Sequence, residues 1–133
     1  MAIDVQESQR IVTITLTDIV SEEDVAALLQ GIKMHLLRTT VPITFVIDLT
    51  EGHGGTAKMR NSIGEFLAGR GARFGLCAGM AAVAKSDGQH GFLRGIIAMG
   101  PIPCPYRLFE MPGEASTWAR MRLKAAEPPR AAG

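Results

Sequence analysis

The chain has 133 residues, with 14 basic side chains against 13 acidic ones and a formal net charge of +1. Apolar residues make up 47% of it and aromatics 5%. A chain this apolar and this close to neutral buries a core rather than staying disordered. The missing basic excess argues against a nucleic-acid binder, whose affinity rests on phosphate contacts.

Met1 to Glu7 carries neither the basic nor the apolar region of a signal peptide. No apolar run approaches the ~18 residues needed to span a bilayer. The two cysteines, Cys77 and Cys104, form no CxxC pair and read as reduced thiols. The expectation is a cytoplasmic protein without a transmembrane segment.

Taken in chain order, Ile3 to Glu7 and Ile11 to Thr17 both alternate in polarity. In the second run Val12, Ile14 and Leu16 share a face, the period-two pattern of a half-buried strand. Ser8-Gln9-Arg10 is short enough for a hairpin turn, although it lacks Asn-Gly. Ser21 followed by Glu22, Glu23 and Asp24 opens a helix, since a serine caps free N–H groups and acids suit the positive helix end. Val25, Leu28, Leu29, Ile32 and Leu36 continue it at helical spacing to about Arg38, and Pro42 ends it.

Ile43 to Leu49 is a near-continuous apolar run, the mark of a strand covered on both faces. Glu51 to Gly55 reads as a glycine loop, after which Thr56 caps a helix carrying Met59, Ile63, Phe66 and Leu67. Gly69 and Gly71 are its stop signals. Gly75 to Lys85 is compatible with strand or helix. Ser86-Asp87 caps a further helix with Phe92, Leu93, Ile96 and Ile97. Tyr106 to Glu110 alternates as a strand, and Pro112 suits the first turn of a last helix bearing Ala115, Trp118 and Met121. The order is β-β-α-β-α-β-α-β-α, an α/β layering with parallel pairing in a mixed sheet flanked by about four helices. Residues 1–124 form one domain, and residues 125–133, rich in Ala, Pro and Gly, form a flexible tail.

Four landmarks carry a family resemblance. They are Ile11 to Thr17, the acidic helix start at Ser21, the strand Phe45-Val46-Ile47-Asp48, and Arg107-Leu108-Phe109-Glu110 with Glu114-Ala115 and Trp118 beyond it. Over residues 1 to about 124 the chain resembles the SpoIIAA-like branch of the STAS superfamily. The resemblance implies a SpoIIAA-like, STAS-type fold and a non-enzymatic domain that binds a protein partner or a small ligand. The phosphorylatable Asp-Ser-Ser-Gly loop of STAS proteins that antagonise anti-sigma factors is replaced here by Glu51-Gly52-His53-Gly54-Gly55-Thr56. Thr56 is the nearest hydroxyl and reads as a helix cap.

Two segments are candidate sites. Asp48, Gly52, His53, Gly54, Gly55 and Thr56 should lie at the carboxyl end of a parallel strand, where open α/β sheets bind ligands. Glycines there admit a close ligand, helix N–H groups favour an anion, and His53 adds a titratable group. The bland alternative is a surface turn. The stiff apolar stretch containing Ile97, Met99, Pro101, Ile102 and Pro103 would mark an interface if exposed, or ordinary core with a rigid loop.

Gly75-Leu76-Cys77-Ala78-Gly79 matches the spacing of a nucleophile elbow but not its strand–turn–helix setting. No ligand spacing for a metal occurs, and neither the P-loop nor the dinucleotide glycine pattern is present, so no cofactor is expected. The leading reading is a binding module for a protein partner, with a homodimer as one form. A small apolar or anionic ligand between sheet and helices is the alternative, and a small Cys/His hydrolase the third.

Overall fold

The computed structural model describes residues 3–68 and 74–126. Nine elements follow the expected order: β1 Ile3–Ser8, β2 Ile11–Ile19, α1 Glu22–Arg38, β3 Ile43–His53, α2 Ala57–Ala68, β4 Cys77–Val83, α3 Asp87–Ala98, β5 Tyr106–Phe109 and α4 Pro112–Ala126. The stop signals Gly69 and Gly71 lie outside the described residues. So does most of the expected tail, while α4 itself continues through Ala126.

The sheet runs β1-β2-β3-β4-β5. β1 pairs antiparallel with β2, and every later pairing is parallel. The β1–β2 turn consists of Gln9 and Arg10 alone, both at positive φ. Two-residue turns of this hand match the twist of the strands they join.

Strand alternation divides the core into two layers. Val12, Ile14, Phe45 and Met80 pack with Leu28, Ile32 and Leu36 of α1 and with Leu67, Leu93 and Ile96 of α2 and α3. The opposite face carries Ile11, Val46, Ala81 and Val83 against Ala115, Ala119 and Leu123 of α4. Three helices therefore cover one face and a single helix the other.

The ambiguous segment is strand β4, buried along nearly all its length. Its small residues serve close packing. A Cβ on Gly79 would come within 2.9 Å of the Trp118 indole. Trp118 lies on that bare backbone and against the Phe109 ring, 5.9 Å between centroids, which seats α4 on the sheet.

α1 begins with a capping box. Asp24 N–H donates to Ser21 Oγ at 3.1 Å, and Ser21 N–H donates to Asp24 Oδ2 at 2.8 Å. His35 is a structural residue, with Nδ1 2.9 Å from the Gly31 carbonyl oxygen and the ring edge-on to Phe45.

Candidate functional site

The carboxyl end of β3 departs from the expected loop. The strand continues through Thr50 and Gly52 to His53, because the end of β2 pairs with it: Thr17 with Glu51, Asp18 with Gly52 and Ile19 with His53. Val20 N–H closes this pairing on the His53 carbonyl at 2.9 Å. The register slips between Asp48 and Glu51, leaving an extra residue on β3. Only Gly54, Gly55 and Thr56 remain as the connection to α2.

The six residues of the first candidate site separate accordingly. His53, Gly54, Gly55 and Thr56 are exposed together at the end of the sheet, and Gly52 is buried beneath them. Gly54 turns the chain at φ +86°. Thr56 Oγ1 accepts from Met59 N–H at 3.2 Å, the expected helix cap. Asp48 does not belong with them. It shares the sheet face of Val46, towards α4, and its Oδ1 accepts from Thr50 N–H at 2.9 Å and Thr50 Oγ1 at 2.7 Å. The period of two puts residue 48 on the other side of the sheet from the α1–α3 layer, and its carboxylate anchors the slipped register.

Gln89 is a residue that the sequence reading passed over. As the third residue of α3 it completes a capping box with Ser86: Gln89 N–H donates to Ser86 Oγ at 3.1 Å. Its Oε1 accepts from Lys85 N–H at 2.8 Å and Ser86 N–H at 3.2 Å. Its Nε2 donates across to the carbonyls of Leu49 at 2.7 Å and Gly52 at 3.1 Å. One side chain thus ties the start of α3 to the irregular end of β3. The Ser-x-x-Gln spacing at 86–89 was the available signal.

Behind this rim lies an apolar cavity of about 380 Å³. Its floor is Leu16, Ile47, Leu49, Met80, Ala82 and Leu108 from four strands. Met59, Ile63, Phe92, Leu93 and Ile96 of α2 and α3 cover it, and His53, Gly54 and Gly55 stand at its border.

The second candidate segment divides between surface and interior. Pro101 is exposed and Met99 is 40% exposed. Met99 nevertheless lies directly over Gly64 of α2. Ile97 and Ile102 line the cavity, and Pro103 is half-buried. The stretch is therefore partly a wall of the cavity rather than one continuous outer patch.

Cys77 and His53 stand at opposite ends of the sheet. Cys77 pairs with Ile43, the first residue of β3, whereas His53 is the last. Cys77 is buried at 6% exposure. Its thiol donates to the Gly79 carbonyl at 3.5 Å and meets Cys104, and that contact, with burial next, pushes its pKa far above the ordinary thiol range. The Cys–His constellation considered from the sequence does not assemble. Among the described residues no group of three or more His, Cys, Asp or Glu gathers as for a metal ion. Nor, among them, is any helix long and apolar enough to cross a membrane.

A five-stranded mixed sheet with β1 antiparallel at one edge, three helices on one face and one on the other, defines a SpoIIAA-like α/β fold. Two similar solved structures carry it. One is an uncharacterised protein described as having a SpoIIAA-like fold, from Shewanella loihica, 20% identical over 89% of this chain and 92% of that one, with a TM-score of 0.57. The other is an anti-sigma factor antagonist from Mycobacterium paratuberculosis, 18% identical over 89% of this chain and 92% of that one, also with a TM-score of 0.57. No family model and no curated protein matches the sequence.

Proposed function

We propose that the chain is a regulatory binding module without chemistry of its own, and that it engages a protein partner through the carboxyl end of its sheet. The observation that carries this reading is Ile19. It is 79% exposed, yet its backbone is held by pairing with His53 at the end of the sheet. A large apolar side chain on fixed backbone, flanked by the exposed His53–Thr56 connection, is a preformed anchor that loses little entropy on docking. The anti-sigma factor antagonist of the same fold supports a protein-binding role. The near-zero net charge suits a partner that is neither nucleic acid nor strongly charged. A second copy of the chain is one form such a partner can take.

Thr56 is committed to capping α2, so the reading involves no phosphorylation switch at this loop. Its test is site-specific photo-crosslinking in the native cell, with the probe at position 19 and, as control, at the exposed Lys124 on α4. The expected result is a discrete protein adduct from position 19 alone, lost on Ile19→Asp when the probe is moved to the exposed position 53. An adduct to the chain itself identifies a homodimer. Equal adducts from both positions, or none from position 19, refute the proposal.

A further inference from the structure

The two halves of the α1–α3 face are packed differently. Towards the amino end of the parallel strands, Val12, Ile43 and Phe45 are at most 2% exposed, and Leu16 and Met80 are buried as well. Towards the carboxyl end, Ile47, Leu49, Ala82 and Leu108 point into the same layer but remain only partly buried, as do Ile63 and Phe92 above them. Protein interiors are normally filled to the density of organic crystals, with few voids larger than a water molecule. Six core-facing apolar side chains left half-covered around about 380 Å³ mark space that the described residues do not fill.

The space is held open by the way α2 and α3 pack on each other. Gly55 at the head of α2 receives the Phe92 ring of α3, where a Cβ would come within 2.8 Å. Gly64 in the middle of α2 receives Met99 from the end of α3. These contacts join α3 to α2 and to the connection before it, with the Phe92 ring also facing the cavity. Gln89 then fixes the start of α3 to β3. Such a chamber is preformed, and its volume falls within the lower part of the ~300–1,000 Å³ typical of small-molecule sites.

The chemistry of the wall limits the occupant. Two polar side chains of the wall are already engaged: Gln89 uses both ends of its amide, and Ser86 Oγ accepts from Gln89 N–H. The other polar side chains of the lining, His53, Tyr106 and Arg107, are exposed at its border. A sugar, nucleotide or peptide would have to leave its polar groups unpaired there. The floor and cover are aliphatic apart from Phe92, and Met59 and Met80 adapt to an irregular shape. His53 and Tyr106 at the border are exposed, so a polar head can stay in water.

We propose that this chamber binds a single medium-length alkyl chain, with its head group left at the surface. The chain can come from a free fatty alcohol or acid, or from one acyl tail of a membrane lipid. The partner-binding reading does not require this property, and the two can fail separately.

The test uses the full chain and isothermal titration with hexan-1-ol, decan-1-ol and dodecanoate below their aggregation limits, together with flotation on phosphatidylcholine vesicles. Saturable one-to-one binding is expected, tighter for decanol than for hexanol. Ala82→Phe places a ring on the cavity floor and should weaken decanol binding by at least about tenfold. Lys124→Ala, exposed on α4 across the sheet, should leave it unchanged. Binding of the free alcohol without flotation identifies a free ligand, and flotation abolished by Ala82→Phe identifies an acyl tail. Absence of saturable binding, or no dependence on chain length in the wild-type protein, overturns the proposal without relying on the variant. Equal binding by a folded Ala82→Phe protein overturns it as well.

Discussion

At the scale of single residues, the two glycines beside His53 have different reasons to be glycine. Gly54 sits at φ +86°, and the nearest atom to a Cβ there would be Ile19 Cγ2 at an ordinary 3.6 Å. Its requirement is therefore conformational. Gly54→Ala should cost about 1 kcal/mol, the usual penalty for a left-handed backbone, and Gly54→Asn less, because asparagine tolerates that region. Gly55 has no such φ, but its Cβ would press on the Phe92 ring. Gly55→Ala should destabilise through that contact, and Gly55→Asn should be worse than alanine rather than better. Urea unfolding of the four variants checks the opposite ordering. The sequence shows both residues as members of one glycine cluster, and nothing in it separates a turn requirement from a packing requirement.

At the scale of elements, the carboxyl half of β3 depends on partners outside itself. Thr50-Glu51-Gly52-His53 has loop composition, and it becomes strand because β2 lies alongside it and Gln89 takes up its carbonyls. Gln89→Ala removes the reciprocal half of the α3 capping box and strips the Leu49 and Gly52 carbonyls of a donor. The expected loss is about 1–2 kcal/mol, the range for partly buried carbonyls deprived of a donor together with a weakened cap. Amide hydrogen exchange should rise at Val20, whose N–H closes the same end of the sheet. Unchanged exchange there would show that β2 pairing alone holds this end. Apolar runs such as Ile43–Leu49 were legible because burial on both faces leaves a local composition, whereas a polar strand tail has no local mark.

At the scale of the whole molecule, the parallel register brings Cys77 and Cys104 together. Met80 N–H donates to the Pro105 carbonyl at 2.9 Å, which lays the segment before β5 along the start of β4. Both cysteines join the α1–α3 core layer, and both are free thiols. The contact with Cys104, followed by burial, keeps Cys77 protonated in the folded chain beyond its ordinary pKa of 9.0. The unfolded chain releases that proton as pH rises through about 9, so it then binds fewer protons than the folded one. Stability from this group is complete below pH about 9 and declines above it by about 1.4 kcal/mol per pH unit. Thermal unfolding of wild type and Cys77→Ala across that range should diverge in slope, the variant being flatter. Parallel slopes would refute the assignment.

Periodicity and capping signals by themselves indicated the order of the elements, the core stripes of α1, α2 and α3 and the α/β class. These are consequences of chain-local physics: which side chains repeat on one face, and which backbone groups a neighbouring residue can cap. The same signals left Gly75–Lys85 open between strand and helix, and they placed Met121 on the α4 stripe, where it is 64% exposed while Ala115, Ala119 and Leu123 are buried. Composition set the expectation against a nucleic-acid partner, and Gly52–Thr56 stands where the family resembled has a phosphorylatable loop. Tertiary structure decided the rest. It set the linear strand order, extended β3, turned Asp48 away from the glycine connection, and made Gly79 the seat of Trp118. It also turned half of the Ile97–Pro103 stretch inward to line an apolar chamber. Each of these depends on contacts between residues distant in the chain, and such contacts leave no period for a sequence to show.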